Sequence, residues 1–218
     1  MPKHSGVAAT AMLLLCMLTI APARGQNLDY DILCSLQQSR TPFMDHAMQG
    51  LSNTLFLAPA APVAFLTTGW ICDNAQMRSL GTATGLSVLT AFGITEALKF
   101  SIRRPRPYIA YPDDLVYATH PVYGYSFPSG HTSLSFALAT SLSLECPKWY
   151  IVAPAMLWAA GVGFSRLYLG VHNPTDVLAG AAVGVGSAIL IHLIAQRVAN
   201  DSPVPVAKGV VVPISISF

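Results

Sequence analysis

The chain has 218 residues, 53% of them hydrophobic and only 10% charged, with a net charge of +2 and a mean hydropathy of +0.51. Soluble domains carry about 25% charged residues, so this chain has too few charges to wrap a core of its size in water. A net charge of +2 without a Lys/Arg run gives no ground for a nucleic-acid partner. Cys16, Cys34, Cys72 and Cys146 show neither CxxC spacing nor a His/Cys grouping, so they are read as structural or incidental.

Taken in chain order, Lys3 and His4 precede an apolar run over 7–20, then small residues at Ala21, Ala23 and Gly25. That order predicts a signal peptide over 1–25, cleaved after Ala23 or Gly25. Residues 26–56 are mixed, and Leu28, Ile32, Leu33 and Leu36 recur at helical spacing, predicting a short amphipathic helix at the membrane surface. Five apolar segments follow at 55–72, 79–98, 132–145, 150–165 and 176–195. A membrane-crossing helix needs about 20 residues; the first, second and fifth meet that length, and the third and fourth are short. The expected fold is all-α: a polytopic membrane helical bundle with about five transmembrane helices, occupying 26–197. A tail over 198–218 ends in alternating Val/Ile/Ser and Phe218.

Short turns join segments one to two and three to four, whereas 101–130 separates two from three. This long stretch holds Arg103, Arg104, Arg106 and five tyrosines. Long loops inside compact domains are functional or disordered, and the aromatic content argues against disorder.

Three polar stretches stand out: KFSIRRPRP over 99–107, PSGH over 128–131 and SRLYLGVHNPTD over 165–176. Each lies at an end of an apolar segment. Alternating passage through the bilayer brings all three to one face. That face then holds Lys99, Arg106 and Arg166, with Arg103 and Arg104 as further candidates. Guanidinium groups bind phosphate through paired hydrogen bonds and an ammonium acts as a point charge. Ser129 and Gly130 open segment three, where free backbone N–H groups favour an anion. His172 precedes a helix start at Pro174, and Asp176 lies four residues on, spaced to accept a hydrogen bond from the ring. A carboxylate there fixes the tautomer and strengthens the other nitrogen as a nucleophile. His131, from another helix, is the candidate general acid. No compact carboxylate/histidine cluster of the kind a divalent-metal site needs is evident, so no metal or other cofactor is expected.

These stretches resemble the signature of the type 2 phosphatidic acid phosphatase superfamily: Lys-x6-Arg-Pro (Lys99, Arg106, Pro107), Pro-Ser-Gly-His (Pro128 to His131) and Ser-Arg-x5-His-x3-Asp (Ser165, Arg166, His172, Asp176). The resemblance implies a phosphohistidine intermediate on His172, protonation of the departing alcohol by His131 and orientation of His172 by Asp176. It implies that Lys99, Arg106, Ser129, Gly130 and Arg166 bind the phosphate. The implied partners are lipid phosphates (undecaprenyl diphosphate, lipid A, phosphatidylglycerol phosphate or phosphatidic acid) and the membrane lipids around them. Vanadium haloperoxidases share the pocket but lack apparent spans; a non-enzymatic anion transporter or binder is the competing class, and it has no need of the His172–Asp176 pair. With a signal peptide, Arg78, Lys148, Arg197 and Lys208 fall inside, as the positive-inside rule expects. The expected location is a bacterial inner membrane with the site facing the periplasm. Glu96 is expected to pair with Lys99, and the loop tyrosines to act as interface anchors or to cover the site.

Overall fold

The computed structural model describes residues 25–111, 116–118 and 120–201. Residues 1–24 of the expected signal peptide, Cys16 among them, and 202–218 of the expected tail lie outside them, whereas Gly25 opens the first helix and 198–201 continue the last one. The described residues form helices α1 (Gly25–Gln38), α2 (Pro42–Asn53), α3 (Leu57–Ile71), α4 (Ala75–Ile102), α5 (Pro107–Ala110), α6 (Gly130–Glu145), α7 (Trp149–Tyr168) and α8 (Pro174–Asp201), with a single 3-10 turn at Thr54–Phe56 leading from α2 into α3. Local chemistry marks the boundaries: Thr41, Asn74 and Ser129 cap α2, α4 and α6 with their side chains, and Pro42 and Pro107 begin α2 and α5.

Helix α6 is the centre of the bundle. It packs against α8, α7 and α4, while α3 packs on α4. Small residues make this close packing possible. A side-chain carbon at Gly180 of α8 would lie 2.6 Å from the backbone oxygen of Ser129, and one at Gly184 would collide with that of Ser133. Lipid offers no hydrophobic force to press helices together, so close backbone approach and polar contacts take that role. Thr95 of α4 accordingly donates to Ser133 of α6 at 2.8 Å. The apolar core itself is modest: Ala58, Val88, Ala91, Ala137 and Leu138. Large apolar side chains such as Leu89, Phe92, Leu157, Leu178 and Leu193 point outward, as a lipid-facing surface requires.

Among the described residues, four helical stretches are long and apolar enough to cross a membrane: Pro42–Ile71, Ala75–Ala110, Trp149–Tyr168 and Pro174–Asn200. The third expected segment differs. Its helix, α6, has 16 residues and extends about 24 Å at 1.5 Å per residue, short of the roughly 30 Å hydrocarbon core. Ringed by α4, α7 and α8, it does not depend on lipid contact along its length.

The expected amphipathic helix forms as α1. Asp29, Leu33 and Gln37 are the buried stripe, whereas Leu28 and Ile32 are exposed. Its polar stripe faces the polar end of the bundle, which reverses the usual arrangement of a helix on a soluble core.

The chain direction puts the C-terminal ends of α4 and α7 beside the N-terminal ends of α6 and α8. The opposite end holds the Cys72–Asn74 and Cys146–Lys148 connections. There Arg78 pairs with Asp73 at 3.0 Å, and His192 Nδ1 lies 3.1 Å from Glu145 Oε1.

Candidate active site

At the shared end the three polar stretches meet. The backbone N–H of Ser129 donates to the carbonyl of Asp176 at 2.9 Å, tying the start of α6 to the first turn of α8. Gly170, at φ +70°, turns the chain between α7 and α8; a side chain there would collide with the carbonyl of Tyr117. His172 is carried on this turn and is almost wholly buried.

Arg106 lies beside the ring of His172. Its Nη1 lies 3.3 Å from Nε2 and donates to the carbonyl of Val171 at 3.0 Å. Its Nε and Nη2 donate to the carbonyls of Gly124 and Tyr123 at 3.0 and 3.3 Å. Arg166, 4% exposed, donates through Nη1 to Ser52 Oγ of α2 at 2.5 Å, while its Nε has no hydrogen-bond partner. Among the described residues, neither Arg106 nor Arg166 has a carboxylate ion-pair partner. Buried charges are ordinarily paired, and two buried guanidiniums without a carboxylate partner are suited to an anion.

Lys99 Nζ lies 3.2 Å from Glu96 Oε1, the pairing expected from their spacing. A side-chain carbon at Gly130 would be 3.5 Å from that Nζ, so bare backbone at the start of α6 adjoins the ammonium. Ser129 Oγ accepts from Thr132 Oγ1 at 2.9 Å and caps α6. His131 follows, within electrostatic reach of Arg166, His172, Lys99 and Arg106. The two imidazoles therefore share one end of the bundle.

Asp176 is fully buried behind His172. The expected hydrogen bond is not formed: His172 Nδ1 lies 3.7 Å from Asp176 Oδ2 and has no hydrogen-bond partner. Oδ2 is already occupied, since it accepts from Ser126 Oγ, from the Asn173 backbone at 2.8 Å and from Asn173 Nδ2 at 3.3 Å. Burial, the largest influence, lowers the His172 pKa from 6.5 to about 4 against the opposing pull of Asp176. The ring is therefore neutral near pH 7, the state a nucleophile needs. Nδ1 faces a carboxylate and Nε2 faces the cations.

The two further candidate cations are engaged elsewhere. Arg103 is the left-handed C-cap residue of α4 at φ 53°, and its Nε donates back to the carbonyl of Phe100 at 3.0 Å. Arg104 bridges two carboxylates: Nη1 meets Asp176 Oδ1 at 2.8 Å and Nη2 meets Asp29 Oδ2 at 2.9 Å. Asp29, Ser52 and Ser126 escaped the sequence reading, as each is a common residue whose partners lie far away along the chain. Of the loop tyrosines, Tyr111 Oη donates to Asn173 Oδ1 at 3.2 Å and its ring lies 5.0 Å from that of Tyr30. Tyr123 is fully exposed. Cys34, Cys72 and Cys146 are free thiols. Among the described residues no three His, Cys, Asp or Glu side chains converge in the way a metal ion would require.

The family model described as the PAP2 superfamily matches residues 80–199, more than half of the chain and all three polar stretches. The chain belongs to the PAP2 superfamily. A lipid A 4'-phosphatase of Bacteroides thetaiotaomicron is 40% identical over 39% of this PAP2 chain and 40% of its own length. An undecaprenyl-diphosphatase of Sulfolobus acidocaldarius is 33% identical over 50% of this chain and 52% of its own. The chain thus spans about half the length of these curated relatives or less. The crystal structure of Aquifex aeolicus LpxE superposes with a TM-score of 0.62 at 28% identity, covering 75% of this chain and 94% of that one. The helical bundle is therefore shared with a solved structure along most of that structure's length.

Proposed function

We propose that this PAP2 protein is a multi-pass membrane phosphatase that hydrolyses a phosphomonoester or diphosphate on a lipid. The carrying observation is the orientation of His172: Nε2 lies 3.3 Å from an Arg106 guanidinium that has no carboxylate partner, while Nδ1 faces Asp176. The names of the relatives, lipid A 4'-phosphatase and undecaprenyl-diphosphatase, support the substrate class.

In this reading Lys99, Arg106 and Arg166, with Ser129 and the backbone at Gly130, bind the phosphate and stabilise charge on its equatorial oxygens. His172 Nε2 attacks phosphorus. The bond from phosphorus to the lipid oxygen breaks, and His131, protonated once the negative charge of the bound phosphate offsets the surrounding cations, donates that proton to the oxygen. A phosphohistidine forms, and Asp176 stabilises the charged ring. Water then attacks the same phosphorus, the bond from phosphorus to His172 Nε2 breaks, the now neutral His131 takes the water's proton, and inorganic phosphate leaves. The cations do the charge neutralisation, so the scheme needs no metal or cofactor.

Residues 1–25 act as a signal peptide and 198–218 as a tail, so the site faces the periplasm of a bacterial inner membrane, within reach of lipid head groups diffusing laterally. The test is phosphate release by detergent-purified protein from lipid A, undecaprenyl diphosphate, phosphatidylglycerol phosphate and phosphatidic acid, with and without chelator. Release that persists in chelator and disappears in His172→Ala supports the reading; equal release by the variant rejects the nucleophile. Release by neither protein from any of the lipids would favour an anion binder instead.

A further inference from the structure

Helix α1 buries an acidic residue where an apolar one would ordinarily lie. Asp29 is 2% exposed and heads the inner stripe continued by Leu33 and Gln37. Burying a carboxylate is costly unless it is paired and hydrogen-bonded, and Asp29 is fully engaged. Oδ1 accepts from the Thr175 backbone at 3.0 Å. Oδ2 accepts from Thr175 Oγ1 at 2.6 Å and Arg104 Nη2 at 2.9 Å. Thr175 is the second residue of α8, so Asp29 caps from another helix one of the N–H groups that the first turn leaves without an intrahelical partner. The same carboxylate holds Arg104, whose Nη1 reaches both Thr175 Oγ1, at 2.6 Å, and Asp176 Oδ1, at 2.8 Å.

The contact of Asp176 with His172 is long, and its Oδ2 carries three other donors. The carboxylate's orientation thus depends on what holds its far oxygen. Arg104 is what holds it, and Asp29 is what holds Arg104. We infer that Asp29 is a positioning residue: through Arg104 it sets the orientation of Asp176 toward the His172 ring. This rests on the reading of His172 as nucleophile. Asp29 touches neither His172 nor the cations of the anion hole, so its role should show in turnover and not in phosphate binding.

The experiment uses full-length protein in detergent, with phosphate release measured on the best lipid of the panel. Asp29→Asn keeps the shape and removes the charge. It should lower kcat by about 10- to 100-fold, by analogy with the loss of a carboxylate that orients a metal-ligating histidine, with KM changed less than about twofold. Because Asp29 acts through Arg104, adding Asp29→Asn to Arg104→Gln should lower kcat no further than Arg104→Gln alone, whereas independent effects would multiply. Asp31→Asn, at an exposed position of the same helix, should retain wild-type kcat. Leu33→Ala, which loosens α1 without touching the network, separates docking from positioning: at equal loss of melting temperature its kcat should exceed that of Asp29→Asn. The inference is overturned if Asp29→Asn turns over at the wild-type rate, if the two losses multiply, or if Leu33→Ala reproduces the kcat loss. Loss of activity in His172→Ala alongside any of those results leaves the proposed function standing; activity in His172→Ala removes that function and this inference with it.

Discussion

Asp176→Asn offers the most demanding check on the proposed chemistry. The substitution keeps the shape of a side chain that is completely buried, and Arg104 retains Asp29 as a partner. What it removes is a negative charge 3.7 Å from His172 Nδ1. That charge matters most when the ring becomes positive on accepting the phosphoryl group. At an effective dielectric of about 20, charges at this separation attract by about 4.5 kcal/mol, equivalent to about three decades in rate. Arg104, 2.8 Å from the other oxygen, offsets part of that attraction, so the expected fall in kcat is about 100- to 1,000-fold. Phosphate release in detergent gives the rate, and a melting curve verifies that the variant is folded. A folded variant with kcat within about tenfold of wild type would refute the reasoning, because no cation forming on His172 could then depend on this carboxylate.

Three further outcomes are expected. In histidine-labelled protein, the NMR resonance missing from His172→Gln should titrate near pH 4, following the burial-lowered pKa. The acid limb this group places on kcat/KM should then lie near 4, with activity rising as pH passes upward through it; titration at 6.5 or above would contradict the buried, neutral ring. Ser52→Ala deletes the hydroxyl 2.5 Å from Arg166 Nη1; losing a bond to a charged group costs about 1.5–3 kcal/mol, so the inhibition constant for inorganic phosphate should rise roughly tenfold or more, and an unchanged constant would detach Arg166 from the anion. Gly180→Val should push α8 away from Ser129, where 2.6 Å leaves no room for a side chain. Overpacking costs typically about 1–3 kcal/mol, so both melting temperature and kcat should fall, and a variant as stable as wild type would contradict the close approach of α6 and α8.

The bundle was readable because membrane solvation writes itself into composition. Apolar segments must reach a minimum length, and charges are pushed to their ends, so the spacing of Lys99, His131, Arg166 and His172 carried topological information. Pairing within one helix was equally legible: Glu96 and Lys99 are three residues apart and meet as expected. Helix α1 is legible in the periodicity of Leu28, Ile32, Leu33 and Leu36, but the burial of Asp29 is not, because a lone carboxylate carries no sign of the Thr175 and Arg104 groups that satisfy it.

Sequence alone established an all-helical membrane chain whose signature residues gather at one end, because segment length and charge placement are local quantities that bilayer thickness imposes one helix at a time. Folding in three dimensions assigned partners across distance. It gave Arg104 to Asp29 and Asp176 instead of the anion hole, brought Ser52 to Arg166, and filled Asp176 Oδ2 with Ser126 and Asn173. Those choices depend on which helices lie side chain to side chain after packing. Contacts separated by 72, 75 and 114 residues leave no periodic trace along the chain.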